Sequence, residues 1–236
     1  MGEVISKADS WRMFDDISAK YDYLNRLLSL GLDKNWRKNL LVHLPNRIHL
    51  TALDLATGTA DVPLLLAYNS FQIDSISGID LSEKMLKHGE FKVKVAGLQD
   101  KIALAHGDAA QIPFADESFD VVTIAFGIRN TESPQKVLSE MFRVLKKNGR
   151  ALILEFSLPH DPLLRSLGIL YLRSVVPFLG GLIAHNYRAY KYLNRTIENF
   201  PCGEAFCKLM EDAGFNIVRG HPLTFGVATI YQGDKI

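Results

Sequence analysis

The stretch Leu53-Asp54-Leu55-Ala56-Thr57-Gly58-Thr59-Ala60-Asp61 ends a short apolar run in a turn of small residues bracketed by carboxylates. Small side chains at 56, 58 and 60 let the backbone approach a ligand closely. The same residues also suit ordinary packing of a helix on a strand, so the turn needs corroboration. Asp80 supplies part of it. It ends the next apolar run, about twenty residues on, where a carboxylate suits the two hydroxyls of a ribose; taken alone it would serve equally as a helix N-cap. Asp108, in Ala105-His106-Gly107-Asp108-Ala109, is placed to accept from an adenine amino group. A dinucleotide would require the third glycine of a G-x-G-x-x-G turn beside its pyrophosphate, and Asp61 stands there instead. An acidic group repels phosphate but tolerates S-adenosylmethionine, which carries a sulfonium and an ammonium and no phosphate. Asp54 and Asp61 are therefore expected to set negative charge beside a cationic cofactor.

These residues need a frame that brings strand ends together. Residues 50–56, 73–80, 102–106, 119–126 and 150–156 read as strands, with helices over 62–70, 82–97 and 133–147. Ser82 with Glu83 partly marks a helix start, and Lys146-Lys147-Asn148-Gly149 a helix stop. Such alternation predicts a doubly wound α/β sheet, mostly parallel, with helices on both faces. Ahead of it, Ile17, Tyr21, Leu24 and Leu28, then Trp36, Leu40 and Leu44, recur at helical spacing and predict two amphipathic helices capping the core over residues 1–48. Behind it, 215–220 and 224–232 predict a terminal antiparallel hairpin with His221 and Pro222 in its turn. The whole reads as a single domain, 1–236, with a helical insertion at 158–200.

Composition narrows the classes. With 47% hydrophobic and 22% charged residues the chain builds an ordinary core and is not disordered. A net charge of +1 without a dense basic patch excludes nucleic acid as a partner. Cys202 and Cys207 are too few for a disulfide scaffold or a zinc site and read as free thiols in a reducing compartment; no metal is expected. The first ten residues carry Glu3, Lys7 and Asp9 and no apolar signal core, which predicts a cytoplasmic protein. The segment 163–183 is apolar, yet Arg165, Arg173, Pro177 and Gly180–Gly181 argue for a buried or interfacial amphipathic segment over a membrane span.

The remaining signal is an ordered set of segments. It begins with Phe14-Asp15-Asp16-Ile17-Ser18-Ala19-Lys20-Tyr21-Asp22, Leu24-Asn25, Ser29-Leu30-Gly31 and Trp36-Arg37. It continues through the turn at 53–61 to Phe126-Gly127-Ile128-Arg129-Asn130, Arg143-Val144-Leu145-Lys146 and Leu154-Glu155-Phe156-Ser157. Tyr190-Lys191-Tyr192-Leu193, Phe200-Pro201 and Thr224-Phe225-Gly226 complete it. Together these resemble the ubiquinone/menaquinone biosynthesis C-methyltransferase family, within the class I, Rossmann-like, S-adenosylmethionine-dependent methyltransferases, over nearly the whole chain. The resemblance implies a seven-stranded sheet and cofactor contacts at Thr59, Asp80 and the pair Asp108–Ala109, alongside Asp54 and Gly58 from the turn. Ala60 replaces the usual glycine and is expected to narrow the turn; Ala125 replaces a frequent serine. Thr196 keeps a hydroxyl where serine is common, and His185 has no family counterpart.

The implied reaction moves a methyl group from sulfur to a ring carbon of a polyprenyl quinol. Demethylmenaquinol is the first choice, 2-methoxy-6-polyprenyl-1,4-benzoquinol the alternative, and another aromatic or lipid acceptor the runner-up. Arg129 and Asn130 are the candidates for the substrate oxygen. Arg129 suits a phenolate electrostatically and is a poor base; its plainer reading is a partner for a structural carboxylate. Tyr21, with Asp22 and Asn25, is expected to close over the site, although Tyr21, Tyr190 and Tyr192 also suit core packing. The segment 163–183 is expected to take the prenyl tail, with peripheral contact at the inner face of the membrane, or else to pack internally or form a homodimer interface. Asp116–Glu117 reads as turn chemistry. A regulatory S-adenosylmethionine-binding protein without turnover has only Ala60 and Ala125 in its favour.

Overall fold

The computed structural model describes residues 7, 10–18, 21–178 and 187–236. Helices α1 (Ser10–Ile17), α2 (Tyr21–Leu28) and α3 (Leu32–Lys38), with a 3₁₀ turn at Asn39–His43, precede the sheet. The sheet and its flanking helices follow as β1 (Leu50–Leu55), α4 (Asp61–Asn69), β2 (Ile73–Asp80), α5 (Glu83–Val95), β3 (Ile102–His106), β4 (Phe119–Ala125), α6 (Pro134–Val144) and β5 (Leu145–Phe156). After β5 come α7 (Pro162–Leu170), which runs on as a π turn over Tyr171–Val175, α8 (Tyr187–Asn199), α9 (Glu204–Asp212), β6 (Asn216–Leu223) and β7 (Ala228–Asp234). The strand order is β3-β2-β1-β4-β5-β7-β6. Every pairing is parallel except those of β7, which runs antiparallel to β5 and β6.

Period-two patterning divides the core into two layers. Leu53, Leu55, Val122, Ile124 and Ile153 face α6 and Phe206, while Ala52, Val121, Leu152 and Leu154 face Trp36, Leu40 and Leu66. Each fully buried large side chain contributes about 1.5–3 kcal/mol. Local signals set the helix starts. Ser82 Oγ accepts from Met85 N, Ser133 Oγ from Lys136 N with Pro134 in the first turn, and Asp161 from Leu163 N and Leu164 N.

Four expectations are corrected. Among the described residues the cap holds three helices, with Ile17 ending one and Tyr21 opening the next. The helix expected to run to 147 ends at Val144, since Leu145 already pairs with Phe119 in the sheet. His221 and Pro222 lie inside β6, and the turn is Thr224–Gly226; proline is tolerated there because β6 is an edge strand. Ala60 does not narrow the turn: it is fully buried in the core, and its methyl packs on the side of Gly89. Gly180–Gly181, His185 and the residues before Lys7 lie outside the described residues.

Candidate active site

Strand order reverses between β1 and β4, and a cavity of about 240 Å³ opens beyond their carboxyl ends. Its wall includes Gly58, Asp80, Asp108, Ala109 and Asn130, and Tyr21 from the cap. Asp80 accepts from Gly58 N and Ser82 N, both at 2.8 Å, which aligns the turn after β1 with the start of α5. Burial pushes the Asp80 pKa up against those backbone bonds. Asp108 accepts from Ala110 N at 2.8 Å. Ala56 and Phe126, at the ends of β1 and β4, both line the cavity with φ of 48° and 59°. Non-glycine residues in that region are strained, a feature that clusters at ligand sites.

Not every expected residue reaches this wall. Asp54 is 1% exposed beneath the turn, and Thr123 donates to it; burial pushes its pKa to about 7. Thr59 donates to Asp22 at 2.7 Å and receives Lys92 at 3.1 Å. Asp61 binds Lys92 at 2.6 Å and lies 3.9 Å from Arg37 and 4.0 Å from Arg26. Burial raises the Asp61 pKa, yet Arg37, Lys92 and Arg26 outweigh it, and the group titrates below its usual range. The negative charge expected from Asp54 and Asp61 is thus not set beside the cavity. Asp61 instead ties α2 and α3 to the turn, a latch repeated where Ser82 Oγ donates to Asp15 of α1.

Phe14, Tyr21, Phe126 and Asn130 line a second cavity as well, of about 400 Å³. Its wall is largely apolar, from Leu24, Leu28, Leu167, Tyr171 and Val176 of the cap and the 158–200 segment. Into it face Arg129, 4% exposed, and Arg37, 7% exposed. Arg129 donates to Glu155, itself fully buried, at 2.6 Å and to the Phe126 carbonyl at 2.7 Å. The structural-carboxylate reading of Arg129 therefore holds, and the side chain reaches the cavity as well. Its Nε has no hydrogen-bond partner among the described residues. Burial pushes the Tyr21 phenol up, against Arg37, a hydrogen bond with Asn25 and Arg129, so it is a neutral donor. Tyr192 lines the cavity and packs in the cluster of Met13, Leu24 and Val176; the side chain of Tyr190 lies outside the description. Asp116–Glu117 forms a turn, with Asp116 on Arg143 at 2.7 Å.

Sequence reasoning gave Glu155 and Arg37 no role. A glutamate closing the run Leu152-Ile153-Leu154 was the available signal for the first, since fully buried carboxylates need partners. Arg37 carried none beyond its place in a family-like segment.

The sheet and its two adjoining cavities define an S-adenosylmethionine-dependent methyltransferase fold. One such methyltransferase, from Thermotoga maritima, superposes with a TM-score of 0.68 at 19% identity, covering 96% of this chain and 100% of that one. Another, from Methanococcus maripaludis, gives 0.63 at 19% identity, over 100% and 97%. The chain belongs to the ubiE/COQ5 methyltransferase family, whose profile matches residues 4–235. It is 43% identical over 223 residues to the ubiquinone/menaquinone biosynthesis C-methyltransferase UbiE of Geotalea daltonii, covering 94% of each chain. Demethylmenaquinone methyltransferases of Bacteroides fragilis and Thermus thermophilus are 42% and 43% identical, over 95% and 94% of this chain and 91% and 100% of theirs.

The first cavity fits the cofactor of such enzymes. Lys7 is the single cation of its described lining, against Asp80, Asp108 and Glu132, which suits a sulfonium and an ammonium better than a pyrophosphate. A Cβ added to Gly58 would meet nothing within 4 Å, so glycine leaves open space over the turn.

Proposed function

We propose that the protein transfers a methyl group from S-adenosylmethionine to a ring carbon of a polyprenyl quinol, converting demethylmenaquinol to menaquinol. The observation that carries this reading is the junction of a more polar cavity carrying three carboxylates with a larger apolar one through Phe14, Tyr21, Phe126 and Asn130. The cofactor, held by Gly58, Asp80, Asp108 and Ala109, supplies an electrophilic methyl group.

The other steps belong to the chain. The apolar walls exclude water and hold the prenyl tail, so the ring meets the junction in one orientation; such placement contributes up to about 7–11 kcal/mol. Arg129, fixed by Glu155, favours the ionised hydroxyl beside the carbon to be methylated, which makes that carbon more nucleophilic. Tyr21 and Asn130 orient the oxygen at the junction. Asp33, which lines the apolar cavity, and Glu155, which holds Arg129, are already bound by guanidinium groups. The chain therefore promotes ionisation by its field more than by a conventional base. The hydroxyl proton goes to solvent water, and the ring proton displaced by the methyl group returns to that oxygen as the aromatic ring is restored.

We assign 1–236 to one domain, with 1–48 as the cap and 158–200 as the tail-binding insertion. Among the described residues no helix is long and apolar enough to cross a membrane. The cavity mouth carries Leu30, Leu167 and Phe225, exposed by 77%, 54% and 83%, which favours peripheral contact with the bilayer that holds the substrate. The names of the relatives, which span ubiquinone and menaquinone synthesis, keep the benzoquinol as the second reading. The test offers tritiated S-adenosylmethionine with demethylmenaquinol and the demethylated benzoquinol side by side. Label is expected in the naphthoquinone, whereas label in neither, with cofactor binding confirmed, overturns the assignment.

A further inference from the structure

The mechanism above uses one of the two guanidinium groups in the apolar cavity. Arg37 Cζ lies 5.4 Å from the Phe126 ring centroid, as Arg129 Cζ lies 5.1 Å from that of Phe156, and the two rings are 4.7 Å apart. Two buried cations thus flank one pair of aromatic rings, and the Tyr21 phenol at the junction responds to both. One terminal nitrogen of Arg37 donates to Asp33 at 2.5 Å and lies 3.9 Å from Asp61. Its other N–H groups make no hydrogen bond among the described residues.

Holding the cap does not require this side chain to face the cavity. Asp33 is bound independently by Arg26 at 2.8 Å and by Ser29 at 2.9 Å, and Asp61 by Lys92 at 2.6 Å. The cluster of Arg26, Arg37 and Lys92 with Asp22, Asp33 and Asp61 is also neutral as a set. The cavity can therefore accept an uncharged ring while still offering N–H donors at two places. A guanidinium buried against an apolar wall with unused donors is costly unless a polar group of the ligand meets it.

We propose that Arg37 is a second substrate-orienting residue, donating to the quinol oxygen remote from the methylated carbon while Arg129 serves the adjacent oxygen. This rests on the quinol reading above. A para-quinol has two oxygens at opposite ends of its ring, and fixing both decides which carbon faces the cofactor cavity. With one oxygen held the ring pivots; with two it does not.

The test is a cycle of variant against substrate with the full chain. Wild type, Arg37→Gln and Arg37→Lys are given a short-chain demethylmenaquinol and a 3-prenyl-1-naphthol, which keeps the hydroxyl beside the reacting carbon and lacks the other. Wild type is expected to prefer the quinol by roughly 10–100-fold in kcat/KM, the range for one hydrogen bond to a charged group. R37Q should lose that preference to within about threefold by slowing on the quinol alone, and R37K should recover part of it. Calorimetric binding of S-adenosylhomocysteine reports folding, and R37K alone carries the comparison if R37Q does not fold. Equal losses on both substrates, with the preference intact, overturn the proposal and leave Arg37 a cap residue. Absence of wild-type turnover on the quinol overturns the quinol reading and the proposal with it.

Discussion

Arg129 is held at one terminal nitrogen by two acceptors at once, the Glu155 carboxylate of β5 and the carbonyl of Phe126 at the strained end of β4. The pair lies fully inside the protein, so its orientation is set by the sheet and not by the substrate. Arg129→Met is expected to lower kcat by about 10²–10³-fold, the effect of removing one donor that stabilises developing negative charge. Cofactor affinity, measured by calorimetry, should be unchanged. Glu155→Leu leaves a buried cation unpaired and should cost about 3–5 kcal/mol in denaturant unfolding. A stable E155L protein with full activity would contradict the account of this pair.

Asp80 aligns two backbone N–H groups from different elements at the cofactor cavity. Asp80→Asn turns an amide NH₂ toward donors that a carboxylate had satisfied. Each hydrogen bond to a charged group contributes about 1.5–3 kcal/mol, so cofactor Kd should rise about 10–100-fold. The rise in Tm that S-adenosylhomocysteine gives wild type should shrink accordingly. An unchanged Kd would remove Asp80 from the site.

Asp54 predicts a pH dependence. Burial raises its pKa to about 7 in the folded chain, against the hydrogen bond from Thr123, while the ordinary value is 3.8. Between those values the unfolded chain has released the proton and the folded chain retains it. This group therefore costs nothing below about pH 4, and stability falls as pH rises toward about 7, by as much as about 4 kcal/mol. Asp54→Asn should flatten that slope and stabilise the protein more at pH 8 than at pH 5 in denaturant titrations. An equal effect at both values would show that Asp54 ionises normally.

The exposed apolar residues of α7 give a membrane test that leaves the cavity intact. Leu163 and Leu170 are 69% and 61% exposed and lie outside its lining. The double variant Leu163→Asp, Leu170→Asp should lose co-sedimentation with phosphatidylcholine vesicles and slow on vesicle-borne quinol. Turnover of a detergent-dispersed short-chain quinol should stay at the wild-type rate. Unaltered vesicle binding would place the membrane contact elsewhere.

The parallel core was legible because β1 and β4 are apolar runs with turn residues at their ends, and period-two patterning needs no knowledge of partners. The cap was less so: Ile17 and Tyr21 share a helical spacing, yet one ends α1 and the other opens α2, with no glycine or proline between them in the sequence. Gly58, Asp80, Asp108 and Ala109 could be placed at the cavity because strand-end position alone puts them there. Asp54 and Asp61 could not, because their surroundings come from distant elements: Thr123 of β4 for one, and Lys92 of α5 with Arg37 of α3 for the other. The use of Glu155 to hold Arg129 is of the same kind, a contact across 26 positions.

The central claim is that a methyl group crosses from the cofactor cavity to a ring carbon held in the larger apolar one. It is tested most directly by supplying S-adenosylmethionine labelled with ¹³C at the methyl group, together with demethylmenaquinol, and recording the carbon spectrum of the extracted product. The account predicts one enriched resonance in the range of a methyl on an aromatic carbon, beside the prenyl-bearing position. Enrichment in the range of a methyl ether, or in no quinone product while the cofactor is bound, would contradict it.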